Sequence, residues 1–192
     1  MRVLAQGDRF NELITSLSRQ IEKTLSQGGE WALVGVRSRG DELARRIGEQ
    51  IGTDRFGGRV GTLDITLYRD DLSEIGPQPV VRTTEIDFPI DGLNIVLVDD
   101  VLMTGRSVRA ALQSLMDLGR PKRVWLAVLV DRGGRELPIA PDFVAMDLTR
   151  ESPESISPQA KVQVMVRPTD TEDGVVIYND TNDTQQGGAG RG

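Results

Sequence analysis

Thirteen residues, Ile95-Val96-Leu97-Val98-Asp99-Asp100-Val101-Leu102-Met103-Thr104-Gly105-Arg106-Ser107, set two adjacent acids and a small-residue turn directly behind four apolar side chains. When ionised, Asp99 and Asp100 can only accept hydrogen bonds, which suits the hydroxyls of a sugar or a hydrated Mg²⁺. Thr104 and Ser107 bring hydroxyl donors, and Gly105 lets the backbone approach a ligand. The apolar run reads as a strand buried on both faces. Val108, Ala111, Leu112 and Leu115 then recur at helical spacing, so residues 101–107 form a loop joining strand to helix. The first turn of that helix offers unpaired N–H groups and the positive end of its dipole, a seat for phosphate. Phosphate, diol and divalent cation together describe a phosphorylated sugar. A solvated acid pair that merely caps the next helix would account for the aspartates but not for the whole spacing.

The rest of the composition narrows the chemistry. Histidine and cysteine are both absent, which removes Ser-His-Asp and Cys-His catalysis, His-ligated zinc and any disulfide framework. Carboxylates, arginine, hydroxyls and backbone must do the work. Of the 23 basic residues, 20 are arginine, a bias that fits bidentate phosphate recognition and a GC-rich genome equally well. The net charge of −6 argues against a protein that coats DNA, and it is uneven: residues 147–192 hold eight acids and four bases. With no apolar run long enough to span a bilayer and no basic-then-apolar leader, the expectation is one soluble, cytoplasmic domain without membrane contact.

These residues must be positioned by a regular framework. Asp8 is placed to cap a helix whose stripe is Phe10, Leu13, Ile14, Leu17, Ile21 and Leu25, ending before Gly28-Gly29. Trp31 to Val36 reads as a buried strand, followed by the loop Arg37-Ser38-Arg39-Gly40 and a helix with Leu43, Ile47 and Ile51 inward. Val60 to Tyr68 alternates and predicts a half-exposed strand. Residues 69–85, with Gly76, Pro77 and Pro79, have no period and predict a long mobile loop. Gly119 and Pro121 stop the central helix, and Val124 to Val130 is another buried strand leading into Asp131-Arg132-Gly133-Gly134-Arg135-Glu136. After Phe143 a polar loop is expected, then a hairpin from Val162–Val166 and Val175–Tyr178 about Asp173-Gly174, with 179–192 as a disordered tail. Buried strands alternating with helices give an α/β, mostly parallel sheet whose ligands sit at the strands' carboxyl ends. The domain is expected to span 1–178.

The run from Ile95 to Ser107 resembles the phosphoribosyl-diphosphate (PRPP) signature of type I phosphoribosyltransferases, although Arg106 stands where a second glycine is common. Asp64-Ile65-Thr66-Leu67-Tyr68-Arg69-Asp70-Asp71-Leu72 and Val130 to Ile139 are similar to blocks of the PyrR family. That resemblance, covering roughly residues 10–145 in separate blocks, implies the type I fold with a flexible loop over residues 69–85. It also implies uracil phosphoribosyltransferase activity, with Mg²⁺ as cofactor and PRPP, uracil and the nucleotides UMP and UTP as ligands, together with uridine-nucleotide-dependent binding of pyrimidine-operon messenger RNA and a homo-oligomeric state. Carried over by position, Asp99 and Asp100 hold the ribose hydroxyls and are the candidate magnesium contacts. Met103, Thr104, Gly105, Arg106 and Ser107 hold the 5′-phosphate. Arg37, Ser38, Arg39 and Gly40 form the diphosphate loop, with Arg39 against the leaving group and Arg69 as an extra contact. Asp131, Arg132 and Gly133 lie by the base, chiefly through backbone groups, and Arg135 is the candidate RNA contact.

Two alternatives stay open: a nucleotide-sensing RNA regulator without catalysis, and a phosphoribosyltransferase for another base such as a purine. RNA binding is the weaker expectation. Gly134 stands where the family usually has histidine, and Asp147, Glu151 and Glu154 face Arg150 and Lys161 in the segment that follows.

Overall fold

In the computed structural model, residues 1–69, 83–150 and 160–178 are described. They form β1 (Arg2–Gln6), α1 (Asp8–Leu25), β2 (Trp31–Val36), α2 (Gly40–Ile51), β3 (Val60–Leu63), β4 (Asn94–Leu102), α3 (Arg106–Leu118), β5 (Arg123–Asp131), β6 (Phe143–Asp147), β7 (Lys161–Met165) and β8 (Gly174–Tyr178). Single 3₁₀ turns lie at Thr53–Phe56 and Thr66–Tyr68. Most of the expected loop 69–85 and all of the expected tail fall outside the described residues.

Five strands make a parallel sheet in the order β3-β2-β4-β5-β6. Its fully apolar strands are buried on both faces. Leu33, Val96, Val98, Ala127 and Leu129 meet Phe10, Leu17, Leu43 and Ile47 of α1 and α2, while Val34, Ile95, Leu97, Leu126 and Val128 meet Val108, Ala111 and Leu115 of α3. The strands therefore need to read as continuous apolar runs rather than as alternation. A second, antiparallel sheet of order β1-β8-β7 packs Ala5, Val164, Val166 and Val175 onto the α1/α2 side.

Several details differ from the sequence reading. Helix α1 begins at Asp8, but its N-cap is Gly7 and no side chain caps it. The expected strand Val60–Tyr68 stops at Leu63 because the Asp64 carboxylate takes both the N–H (2.9 Å) and the hydroxyl (2.6 Å) of Thr66, turning the chain. Strand β4 runs to Leu102 and α3 starts at Arg106, so the loop expected over 101–107 shrinks to 103–105. Strand β6 lies where a polar loop was expected, and the terminal hairpin gains β1 as a third strand.

Candidate active site

The carboxyl ends of β2, β3 and β4 open onto a cleft of about 360 Å³ lined by Val36 to Arg39, Asp64 to Thr66, Arg69, Asp99, Asp100 and Ser107. The sequence-predicted acids, Ser107, Arg69 and the loop after β2 are thus brought to one place. Asp99 is buried, and Asp100 beside it is partly exposed. Burial, and for Asp99 also the neighbouring Asp100 charge, pushes both carboxyls above the usual carboxylate range. The Val101 N–H, which Asp100 accepts at 2.8 Å, and the Arg39 charge partly offset this at Asp100. Two carboxyls held up in this way favour an incoming cation or hydroxyl donors.

At the turn after β4, Gly105 adopts φ 91° and is the N-cap of α3, where it has no side chain to occupy the helix end. A small hollow of about 60 Å³ opens there, lined by Val101 to Gly105, Ser107 and Val108. The loop is braced from behind: the Thr104 carbonyl accepts the N–H groups of Glu136 (3.0 Å) and Leu137 (3.1 Å). A side chain at position 105 would press on Ile139 at 3.3 Å. Arg106 turns outward, its Nε bonding the Glu136 carboxylate at 2.6 Å.

The loop after β2 is seated by two glycines. A Cβ on Gly40 would lie 2.6 Å from the Val98 carbonyl oxygen, and one on Gly35 would collide with the Gly40 carbonyl oxygen. The backbone of this loop consequently lies directly against the strand that carries Asp99. Arg37 is paired with Asp41 (3.3 Å) and Glu85 (3.4 Å) and donates to the Thr83 carbonyl (3.0 Å). Arg39 forms a bidentate pair with Asp170, at 2.8 and 2.9 Å.

The segment after β5 is tightly organised. Asp131 accepts the Gly133 N–H (2.9 Å) and pairs with Arg135 (2.6 Å). Arg132 is buried and donates from Nε and Nη2 to the Ala160 carbonyl. Arg135, the candidate RNA contact, is partly exposed and donates to the Ile139, Leu102 and Met103 carbonyls as well as to Asp131. These side chains hold the loop.

Sequence reasoning missed Asp170, whose only local signal was an acid in a polar turn. It also placed Asp64 and Thr66 on a strand face rather than at the cleft wall.

Comparison with known proteins places this geometry. The family model for the phosphoribosyl transferase domain matches residues 3–160. The bifunctional protein PyrR of Chloroflexus aurantiacus is 48% identical over 176 residues, covering 91% of this chain and 93% of that protein. That of Thermus thermophilus is 55% identical over 150 residues, covering 77% and 78%. Among solved structures, the hypoxanthine phosphoribosyltransferase of Trypanosoma cruzi superposes with a TM-score of 0.64 at 18% identity, over 92% of this chain and 95% of that one, a likeness of fold. With a family model spanning most of the chain and close PyrR relatives along nearly its whole length, the protein belongs to the PyrR family of type I phosphoribosyltransferases.

Proposed function

We propose that the protein joins uracil to PRPP, giving UMP and diphosphate, and that it also has the PyrR family's uridine-nucleotide-dependent hold on pyrimidine-operon messenger RNA. The observation that carries the catalytic reading is the placement of Asp99 and Asp100 between the N-terminus of α3 and the loop 37–40, all within reach of one cleft. A phosphorylated sugar laid along β4 meets phosphate donors at Met103 to Ser107, diol acceptors at the two aspartates and backbone at Arg37 to Gly40.

The glycosidic C–N bond forms as the anomeric C–O bond to diphosphate breaks, through a state with positive charge on the sugar ring, and the proton on the attacking uracil nitrogen is given up to the departing diphosphate. Catalysis here is positioning and electrostatics, and no covalent nucleophile is required. The Asp100 carboxylate, close enough to feel Arg39, sits where it can orient the ribose hydroxyls. The N–H groups of the first α3 turn hold the 5′-phosphate while the backbone of Asp131 to Gly133 borders the base. Asp99 and Asp100, adjacent carboxylates lining the cleft, supply hard oxygen donors and are the side chains that would hold a magnesium ion. Mg²⁺ bound there supplies charge that neutralises the diphosphate oxygens. Self-association, which the family resemblance implies, belongs to the same proposal and is read by light scattering.

The test is PRPP-dependent conversion of radiolabelled uracil, hypoxanthine, guanine and orotate side by side. Uracil alone should be converted. Conversion of a purine instead moves the protein to another base class, and inactivity on all four leaves a nucleotide-sensing regulator.

A further inference from the structure

The turn between β7 and β8 carries two aspartates that are bound, each in bidentate fashion, by arginines of α2 and its N-cap. Asp170 takes Nε and Nη2 of Arg39 at 2.8 and 2.9 Å, and Asp173 takes Nη1 and Nη2 of Arg46 at 2.8 and 3.0 Å. Arg39 and Arg46 are seven residues apart, two helical turns, so both clamps fall on one side of α2.

Asp170 is preset for its task. Its Oδ2 accepts the Val166 N–H at 2.8 Å and its own N–H bonds the Val166 carbonyl at 2.9 Å, so the carboxylate is anchored whether or not Arg39 is present. Arg39 needs such an anchor. Among the described residues it is the one non-glycine at positive φ, 77°, a conformation that costs an L-residue free energy and persists only where its surroundings enforce it. Its carbonyl also starts α2 by accepting the Leu43 N–H at 2.9 Å, and its neighbour Gly40 is pressed against the Val98 carbonyl. The direction in which the N–H groups of this loop point is therefore tied to the Arg39 backbone angle. The fork-to-carboxylate geometry fixes that angle better than a point charge could. Among the described residues the pair leaves Nη1 of Arg39 uncommitted.

We propose that Asp170 is a positioning residue for phosphoribosyl transfer: by clamping Arg39 it holds the loop Arg37–Gly40 in the shape that receives the diphosphate of PRPP. The proposal rests on the reading of the cleft as a PRPP site. It opposes a second account of the same contact, in which Asp170 withholds Arg39 from the diphosphate, and the two accounts differ in sign.

Calorimetric titration with Mg²⁺-diphosphate and with PRPP, alongside steady-state kinetics, separates them. Asp170→Asn should weaken diphosphate binding and raise KM for PRPP by roughly tenfold to a hundredfold, with a smaller change in kcat, as expected for misplacement of a binding loop. Asp173→Asn removes the same kind of clamp from the same turn but away from the cleft, and should lower the melting temperature while leaving KM unchanged. In an Arg39→Gly background, where positive φ is no longer costly, Asp170→Asn should add little. Unchanged or tighter diphosphate binding by Asp170→Asn overturns the proposal. So do equal losses in Asp170→Asn and Asp173→Asn, or additive losses with Arg39→Gly. Failure of the unaltered protein to bind either ligand overturns the PRPP reading itself and this inference with it.

Discussion

Asp131 and Arg135, four residues apart, form an ion pair at 2.6 Å, and the same guanidinium donates to the Met103 carbonyl at 2.8 Å, tying the end of β5 to the turn after β4. Neither side chain is free to leave. Arg135→Ala strands a largely buried carboxylate and releases three carbonyls, and should cost about 2–4 kcal/mol of stability. It should also weaken PRPP binding in the absence of any RNA. Chemical denaturation and a PRPP titration check this, and a stable variant with normal PRPP affinity would show that the pair braces nothing.

At Asp100, replacement by asparagine removes one of two like charges that burial already disfavours. Stability should hold or rise. Turnover at limiting PRPP should fall by roughly a hundredfold, the scale of losing one well-placed electrostatic contact. Unchanged turnover with unchanged melting would remove Asp100 from the site.

Gly35 tests how closely the loop 37–40 must sit on β4. Gly35→Ala drives a methyl into the Gly40 carbonyl and the Asp41 backbone, neither of which can swing aside. A loss of roughly 3 kcal/mol is expected. Gly58→Ala, where a Cβ meets open space, should be limited to the cost of its positive φ. Equal melting of the two variants would contradict the packing.

A pH titration reads the α2 charge network. Hydrogen bonds from Arg45, and then from Arg46, outweigh burial and hold the Glu42 carboxyl below the usual glutamate range. A depressed folded pKa means that this contribution is fully present above the unfolded pKa of about 4.3 and is lost as pH falls through the folded value. Glu42→Gln should therefore lower the melting temperature at pH 7, and the gap from the unaltered protein should close below about pH 4. A gap of constant size from pH 7 to pH 3 would rule out the ion pairing as its source.

How much was legible depended on whether the deciding contacts were local. Ile95 to Ser107 could be read because strand burial, glycine turn and helix stripe are all written within a few residues. The 3₁₀ turn at Thr66 was missed because alternation outvoted a short Asp64-to-Thr66 bond that also lies in the sequence. Strands β1 and β6 are short and only partly buried, and unlike the equally short β7 and β8 they are not joined by a turn signal such as Asp173-Gly174 that would reveal their pairing. The pairing of Arg39 with Asp170 bridges 131 positions and leaves no local trace. The carbonyl partners of Arg135 were hidden as well, since an arginine in a polar loop does not show which backbone groups it will meet.

The small sheet pairs β1 with β8, Arg2 opposite Ile177 and Gln6 opposite Gly174. During synthesis the parallel sheet can close once β6 has emerged, at Asp147, whereas the small sheet must wait for residues near Tyr178. The first strand made is thus paired last, across nearly the whole chain, and such distant pairings are slow to form. A ribosome-bound chain halted after β6 would hold the aspartates of β4 in place while the partner of Arg39 had yet to be translated.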